Sequence, residues 1–256
     1  MELIMILQGK TALISGGSRG IGFAIAELFY KEGANVYIMS RTAEQLAGAV
    51  KKIGNGSEER IHGIPCDVSS KTSVDEAFER IAADGAEIDI LVNCAGVNLR
   101  GPMETMPLET WEKVIGINLT GTFLLTQKVF PAMKKNGGGK IVNIASLMSE
   151  VARPTISPYV ASKGGVKMFT KSIAVEWAPY NIQANAIIPG YIDTEMNTPL
   201  INDPVFDAKI KARTPAGRWG KPEEVAHAAL FFASKGADFV TGQLIAVDGG
   251  ILSALM

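Results

Sequence analysis

From Thr11 onward, short apolar runs alternate with longer segments whose apolar residues recur at helical spacing. This alternation constrains the fold more than any other feature. Strand character falls at Thr11 to Ser15, Asn35 to Ser40, Ile61 to Pro65, Ile88 to Asn93, Lys140 to Ala145, Ile182 to Ile188 and Gln243 to Val247. Helical character falls at Ile21 to Tyr30, Ala43 to Lys52, Ser69 to Ala82, Trp111 to Met133, Pro158 to Trp177 and Pro222 to Ser234. Strands this apolar need cover on both faces, which a parallel sheet between two helical layers provides. The expected fold class is α/β: a single doubly wound domain over residues 1–256, with a parallel sheet of about seven strands and helices on both faces. Ligands on such sheets bind beyond the carboxyl ends of the strands, so a motif counts when it follows a strand.

The chain shows no linker and no internal repeat, and Asn136-Gly137-Gly138-Gly139 reads as a loop. The charge balance, 25 basic against 26 acidic residues, lacks the footprint of a general nucleic-acid binder. No apolar run reaches the ~20 residues of a spanning helix, so neither nucleic acid nor membrane is an expected partner. The leader Met1 to Leu7 carries Glu2 instead of a basic segment and does not read as a signal peptide. Two cysteines, Cys66 and Cys94, cannot form a disulfide framework, and the expected compartment is the reducing cytoplasm. His62 with Cys66 offers two potential ligands on and after one strand, which is short of a metal site, and no metal is expected.

Ser15-Gly16-Gly17-Ser18-Arg19-Gly20-Ile21-Gly22 follows the first strand and opens the first helix. Glycines permit a tight turn and close backbone approach to a pyrophosphate, and the helix N-terminus adds positive potential. In this position the run predicts a Rossmann-type dinucleotide site, against the alternative of a purely structural turn. Two decoys overlap it. Gly16-x-Ser18-x-Gly20 matches a hydrolase nucleophile elbow, but it follows the first strand, and His62 and His227 lack a supporting pattern as base. Gly9-Lys10-Thr11 resembles the end of a phosphate loop, but Ile4 stands where its first glycine belongs, and it precedes the strand.

The second strand ends Met39-Ser40-Arg41-Thr42, without the carboxylate that holds the ribose 2′-hydroxyl of NAD. Arg41 and Arg19 stand where guanidinium groups grip a 2′-phosphate, so NADP is expected over NAD. The competing reading is two solvated arginines.

Tyr159 and Lys163 share a helical face, and Ser146 sits just past a strand end. A free tyrosine titrates near 10, too high for neutral-pH proton transfer. A neighbouring ammonium and a cationic nicotinamide would favour phenolate and lower it. Tyr159 would then exchange a proton with a substrate oxygen that Ser146 holds. Alone, the Tyr159/Lys163 pair reads as an ordinary surface pair; with Ser146 and the glycine turn it reads as chemistry.

On these residues the chain resembles the classical short-chain dehydrogenase/reductase family over essentially its full length. The family's glycine pattern falls on Gly16, Gly20 and Gly22. Its fourth-strand motif falls on Asn93-Cys94-Ala95-Gly96, its proton-transfer set on Ser146, Tyr159 and Lys163, and its helix asparagine on Asn118. Asp67-Val68 resembles the adenine-contacting pair. Pro189-Gly190, with Ile192 and Thr194, resembles the segment over the nicotinamide. The resemblance implies cofactor contacts from these positions together with Ser18, Arg19, Ile21, Ser40 and Arg41. It implies that Lys163 holds the nicotinamide ribose, that Asn118 positions a relay water, and that the enzyme is a homotetramer. Ser15 and Cys94 depart from the family's threonine and asparagine without removing chemistry.

Within the family, Ser146-x-x-Ser149-Glu150-x-x-Arg153 and Arg213 to Gly220 resemble the sugar-acid reductases. The implied couple is gluconate and 5-keto-gluconate, with Ser146, Ser149 and Tyr159 at the substrate. Arg100 and Arg153, both in loops that should line the pocket, are candidates to clamp a carboxylate; the alternative is that they brace loops or subunits. A 3-oxoacyl-thioester or general ketone reductase, and a non-catalytic cofactor-sensing protein, are the other readings. Residues 190–219, irregular and proline-bearing, are expected to form a substrate lid.

Overall fold

A computed structural model describes residues 5–254; Met1 to Ile4, the start of the leader, lie outside the described residues. Seven strands form one sheet in the order β3-β2-β1-β4-β5-β6-β7. They are β1 Thr11–Ser15, β2 Asn35–Ser40, β3 Ile61–Pro65, β4 Ile90–Asn93, β5 Gly139–Ile144, β6 Ile182–Pro189 and β7 Leu244–Val247. Every pairing is parallel. The strand order reverses between β1 and β4, which opens a crevice above that pair, the usual ligand position of such sheets.

The helices are α1 Gly20–Lys31, α2 Ala43–Gly54, α3 Lys71–Ala83, α4 Leu108–Ile115, α5 Gly121–Lys135, α6 Ser157–Trp177, α7 Thr198–Ile201, α8 Pro204–Arg213 and α9 Pro222–Ala233. Side chains of α1, α2 and α9 cover one sheet face and those of α3, α5 and α6 the other. On α1, Ile25 and Phe29 are one turn apart and fully buried, each worth about 2–3 kcal/mol of apolar transfer. That burial seats the glycine turn, because the same helix begins there.

Elements common to expectation and structure agree at their ends to within about two residues, the usual uncertainty of helix boundaries. Two segments differ. The stretch Trp111 to Met133, expected as one helix, is α4 and α5 joined by a π-helical turn at Gly116–Thr120. A side chain at Gly121 would sit 2.8 Å from Val68 Cγ2, so α5 passes hard against that loop. The wide turn accommodates an extra residue and carries Asn118 inward. Residues 190–219 are not irregular throughout. They contain α7 and α8, the latter capped by Asp203, whose carboxylate accepts from the amides of Val205 and Phe206 at 3.0 and 3.2 Å. Leu200, Ile210 and Trp219 give this segment a small core of its own.

Candidate active site

A cavity of about 340 Å³ opens above the β1–β4 crevice, a size typical of small-molecule sites. Its floor is the glycine turn. Gly16 and Gly20 have φ of +69° and +55°, and a side chain at Gly16 would strike the Ala95 backbone at 2.9 Å. Met39 O accepts from Gly16 N at 2.8 Å, which ties the turn to β2. Ser15 Oγ accepts from the amides of Cys94 and Ala95 at 3.1 and 3.2 Å, so this serine does pin the loop after β4. Helix α1 starts without any side-chain cap. Its first N–H groups and the positive end of its dipole are left for a ligand, and this fits a pyrophosphate.

Ser18, Arg19, Ile21 and Gly22 line the cavity with Gly16 and Gly20; Ser40, Arg41, Asp67 and Val68 line its outer end. No carboxylate ends β2, as the sequence requires. Asp67 accepts from Ser69 N and Oγ at 3.0 and 2.6 Å. Burial pulls its carboxyl up, but the Ser69 bonds and the charges of Arg41 and Lys113 outweigh this and hold it below the ordinary range. Arg19 is not free. Its guanidinium pairs with Glu195 at 3.0 Å and links the glycine turn to the 190–219 segment.

Tyr159 stands in the first turn of α6 and Lys163 one turn on, both on the cavity wall with Ser146. The Lys163 ammonium lies 5.8 Å from the Tyr159 ring centroid and donates to Ile144 O at 2.6 Å. The expected acidification counts on a bound nicotinamide cation, and the chain by itself does not provide it. Burial pushes the Tyr159 phenol up, with Ser146 opposing and Cys94 reinforcing. Burial also pulls the Lys163 ammonium down to about 8. Both charged forms lose hydration here, so the phenol ionises only if further positive charge joins it.

Three expected site residues lie off the cavity wall. Asn93 is buried beneath it, donating to Thr126 Oγ1 at 3.1 Å and Asn143 Oδ1 at 2.9 Å. Ser149 Oγ accepts from Ser146 N at 3.3 Å and donates to Lys163 O at 3.0 Å, so it caps a short turn instead of facing substrate. Asn118 is buried on the π-helical turn. Its Oδ1 accepts from Val97 N at 2.8 Å, and its Nδ2 donates to Val97 O and Ser162 Oγ, both at 3.0 Å. Ala95, Gly96, Pro189, Gly190, Ile192 and Thr194 all line the cavity.

Arg100 and Arg153 also reach the cavity. Burial, and then the charge of Arg153, lower the Arg100 guanidinium from its ordinary value. Arg153 lies over the Phe206 ring at 5.2 Å. Among the described residues neither forms an ion pair, so two neighbouring cations are left without an anion. Asn98, between Val97 and Arg100, is a further wall residue that no spacing or motif marks. His62 stacks on Tyr37 at 4.5 Å and bonds Asn35 Oδ1 at 2.9 Å.

Residues 16–252 match the family profile described as enoyl-(acyl carrier protein) reductase. The 5-keto-D-gluconate 5-reductase of Escherichia coli (strain K12) is 45% identical over 100% of both chains. A 3-oxoacyl-(acyl-carrier-protein) reductase of Aquifex aeolicus is 41% identical, covering 96% of this chain and 98% of its own. The crystal structure of a gluconate 5-dehydrogenase from Burkholderia cenocepacia, in complex with NADP and tartrate, superposes with a TM-score of 0.93 at 42% identity over 98% of each chain. With a doubly wound sheet, a glycine turn at its switch point and this degree of full-length identity, the chain belongs to the short-chain dehydrogenase/reductase family of oxidoreductases.

Proposed function

We propose that the protein is an NADP-dependent oxidoreductase interconverting gluconate and 5-keto-gluconate. The observation that carries this reading is the unpaired Arg100/Arg153 couple, in the same cavity as Tyr159, Lys163 and the glycine turn. Two cations without an anion suit a substrate carboxylate, and bidentate guanidinium contacts would orient it. The sugar-acid names of the 45% and 42% identical relatives support the same couple.

The glycine turn and the start of α1 hold the pyrophosphate. Ser40 and Arg41 would hold the 2′-phosphate, together with Arg19, whose partner in this structure is Glu195. Asp67 and Val68 border the adenine, and Ala95, Gly96, Pro189, Gly190, Ile192 and Thr194 enclose the nicotinamide end. When bound, the nicotinamide would supply the hydride donor for reduction and the hydride acceptor for oxidation at the carbon bearing the reacting oxygen. Tyr159 gives a proton to the ketone oxygen in reduction and takes it from the alcohol in oxidation, while Ser146 donates to that oxygen. Lys163 supplies the ammonium that favours phenolate and reaches the ribose. Asn118 is a positioning residue here, fixing Val97 beneath the loop that carries Arg100.

The whole chain acts as one dinucleotide-binding and catalytic unit, with 190–219 as its lid. Exposed Phe123 on α5, Met168 and Val175 on α6, and Ile245 on β7 support a homotetramer. Unpaired Cys66 and Cys94 fit a cytoplasmic location.

The test follows reduced-nicotinamide absorbance with gluconate, 5-keto-gluconate, a 3-oxoacyl thioester and a simple ketone, using both cofactors. The expected result is highest kcat/KM for the sugar-acid couple with NADP(H). Tyr159→Phe should lose roughly 10²- to 10⁴-fold in kcat with NADPH binding unchanged. Faster turnover of the thioester would favour the second reading, which the 41% identical reductase supports. A preference for NAD by roughly tenfold or more, about 1.4 kcal/mol, would overturn the cofactor assignment.

A further inference from the structure

Resting on that reading, we infer that Asn98 is a specificity-determining residue that recognises a substrate hydroxyl. Asn98 lines the cavity together with Arg100, Arg153 and Tyr159. Its Oδ1 is buried and has no hydrogen-bond partner. Among the described residues its carboxamide makes no hydrogen bond through Nδ2 either. The whole group is therefore unspent, and the conclusion does not depend on which end of the amide is oxygen.

Buried polar side chains are satisfied in the great majority of cases, so an unspent amide in a cavity wall needs a reason. Looseness is not the reason. The backbone before it is clamped, since Asn118 bonds both N and O of Val97. The backbone after it is tied, since Gly101 N donates to Thr155 O at 2.9 Å. The loop that places this amide in the cavity wall is fixed on both sides. A hydroxyl both donates and accepts, and so can pair with whichever end of the amide the cavity presents. The neighbouring arginines select an anion; the amide selects what else that anion carries. The substrate class is thus a polyhydroxylated carboxylate, and an acyl chain without hydroxyls would leave the amide buried and unpaired.

The experiment compares 5-keto-gluconate with 5-oxohexanoate, which keeps the carboxylate and the 5-ketone but has no hydroxyls. Wild type, Asn98→Ala and the near-isosteric Asn98→Leu are assayed with NADPH, and NADPH binding is measured by fluorescence. The expected result is a loss of roughly 5- to 100-fold in kcat/KM for 5-keto-gluconate in both variants, as for a buried hydroxyl left unpaired. The already slow rate with 5-oxohexanoate should fall by less than roughly twofold, and the NADPH dissociation constant should hold within the same factor. Equal losses on both ketones, a weakened NADPH complex, or an unchanged rate on 5-keto-gluconate would each overturn the assignment. Wild-type inactivity on every sugar acid overturns the parent reading as well, and it is seen before any variant is made.

Discussion

Lys163 offers a test of the site that needs no substrate. The residue is 5% exposed, and its ammonium bonds only Ile144 O among the described residues. Burial lowers its pKa from 10.5 to about 8. At about 1.4 kcal/mol per pH unit, this costs the folded state about 3 kcal/mol near pH 7. The folded value lies below the unfolded one, so the penalty is full below about pH 8 and fades as pH climbs toward 10.5. By pH 10 about 1 kcal/mol remains, a swing of about 2 kcal/mol. Lys163→Met removes the titration and also strands the Ile144 carbonyl, which costs about 1–3 kcal/mol at any pH. The sign of the difference at pH 7 is therefore not diagnostic, but its change with pH is. Urea unfolding of wild type and variant, without cofactor and at equal protein concentration, should show wild type gaining about 2 kcal/mol on the variant between pH 7 and pH 10. A gap that stays constant between the two pH values refutes the claim that a desolvated ammonium sits here.

Arg100→Ala and Arg153→Ala should each raise KM for gluconate by roughly 10- to 100-fold, as expected for losing a charge-assisted contact, and leave a neutral ketone unaffected. If neither moves KM, the arginines brace loops. Arg41→Ala should weaken NADPH by roughly tenfold or more and NADH much less, read as separate dissociation constants. Glu224 is held at about 2 by Arg218 and by the amide of Lys221, below its ordinary 4.5. Its contribution is present above pH 4.5 and is lost as pH falls toward 2. The melting-temperature gap between wild type and Glu224→Gln should accordingly shrink between pH 6 and pH 3.

Much of this was legible in the residues because the strands are short, apolar and separated by turn chemistry. The glycine turn, Ser146, Tyr159 and Lys163 follow strand ends or share one helical face, and such relations survive in a one-dimensional reading. The π-helical turn at Gly116–Thr120 was not legible, since the apolar periodicity runs on through it. Helix α8 was missed because Pro204 counted as a breaker, although Asp203-Pro204 is a favourable helix start, with the acid as cap and proline at the first position. Ser149 misled because a motif cannot distinguish a serine facing substrate from one that caps the turn holding it. Asn98 left no trace, because an amide is idle only with respect to every neighbour in space. In the chain by itself the Tyr159 phenol is raised by burial, a loss of water that spacing does not show.

Beneath the cavity, Asn93 and Asn143 are direct cross-strand partners in β4 and β5, and Asn143 Nδ2 donates onward to Thr170 of α6 at 2.9 Å. A slip of one residue between the two strands would put the two amides on opposite faces of the sheet and break the bond between them in a dry interior. This rung therefore works as a key for strand alignment. Wrong registers are rejected while the sheet assembles, and the helix bearing Tyr159 is seated against only one arrangement of its neighbours.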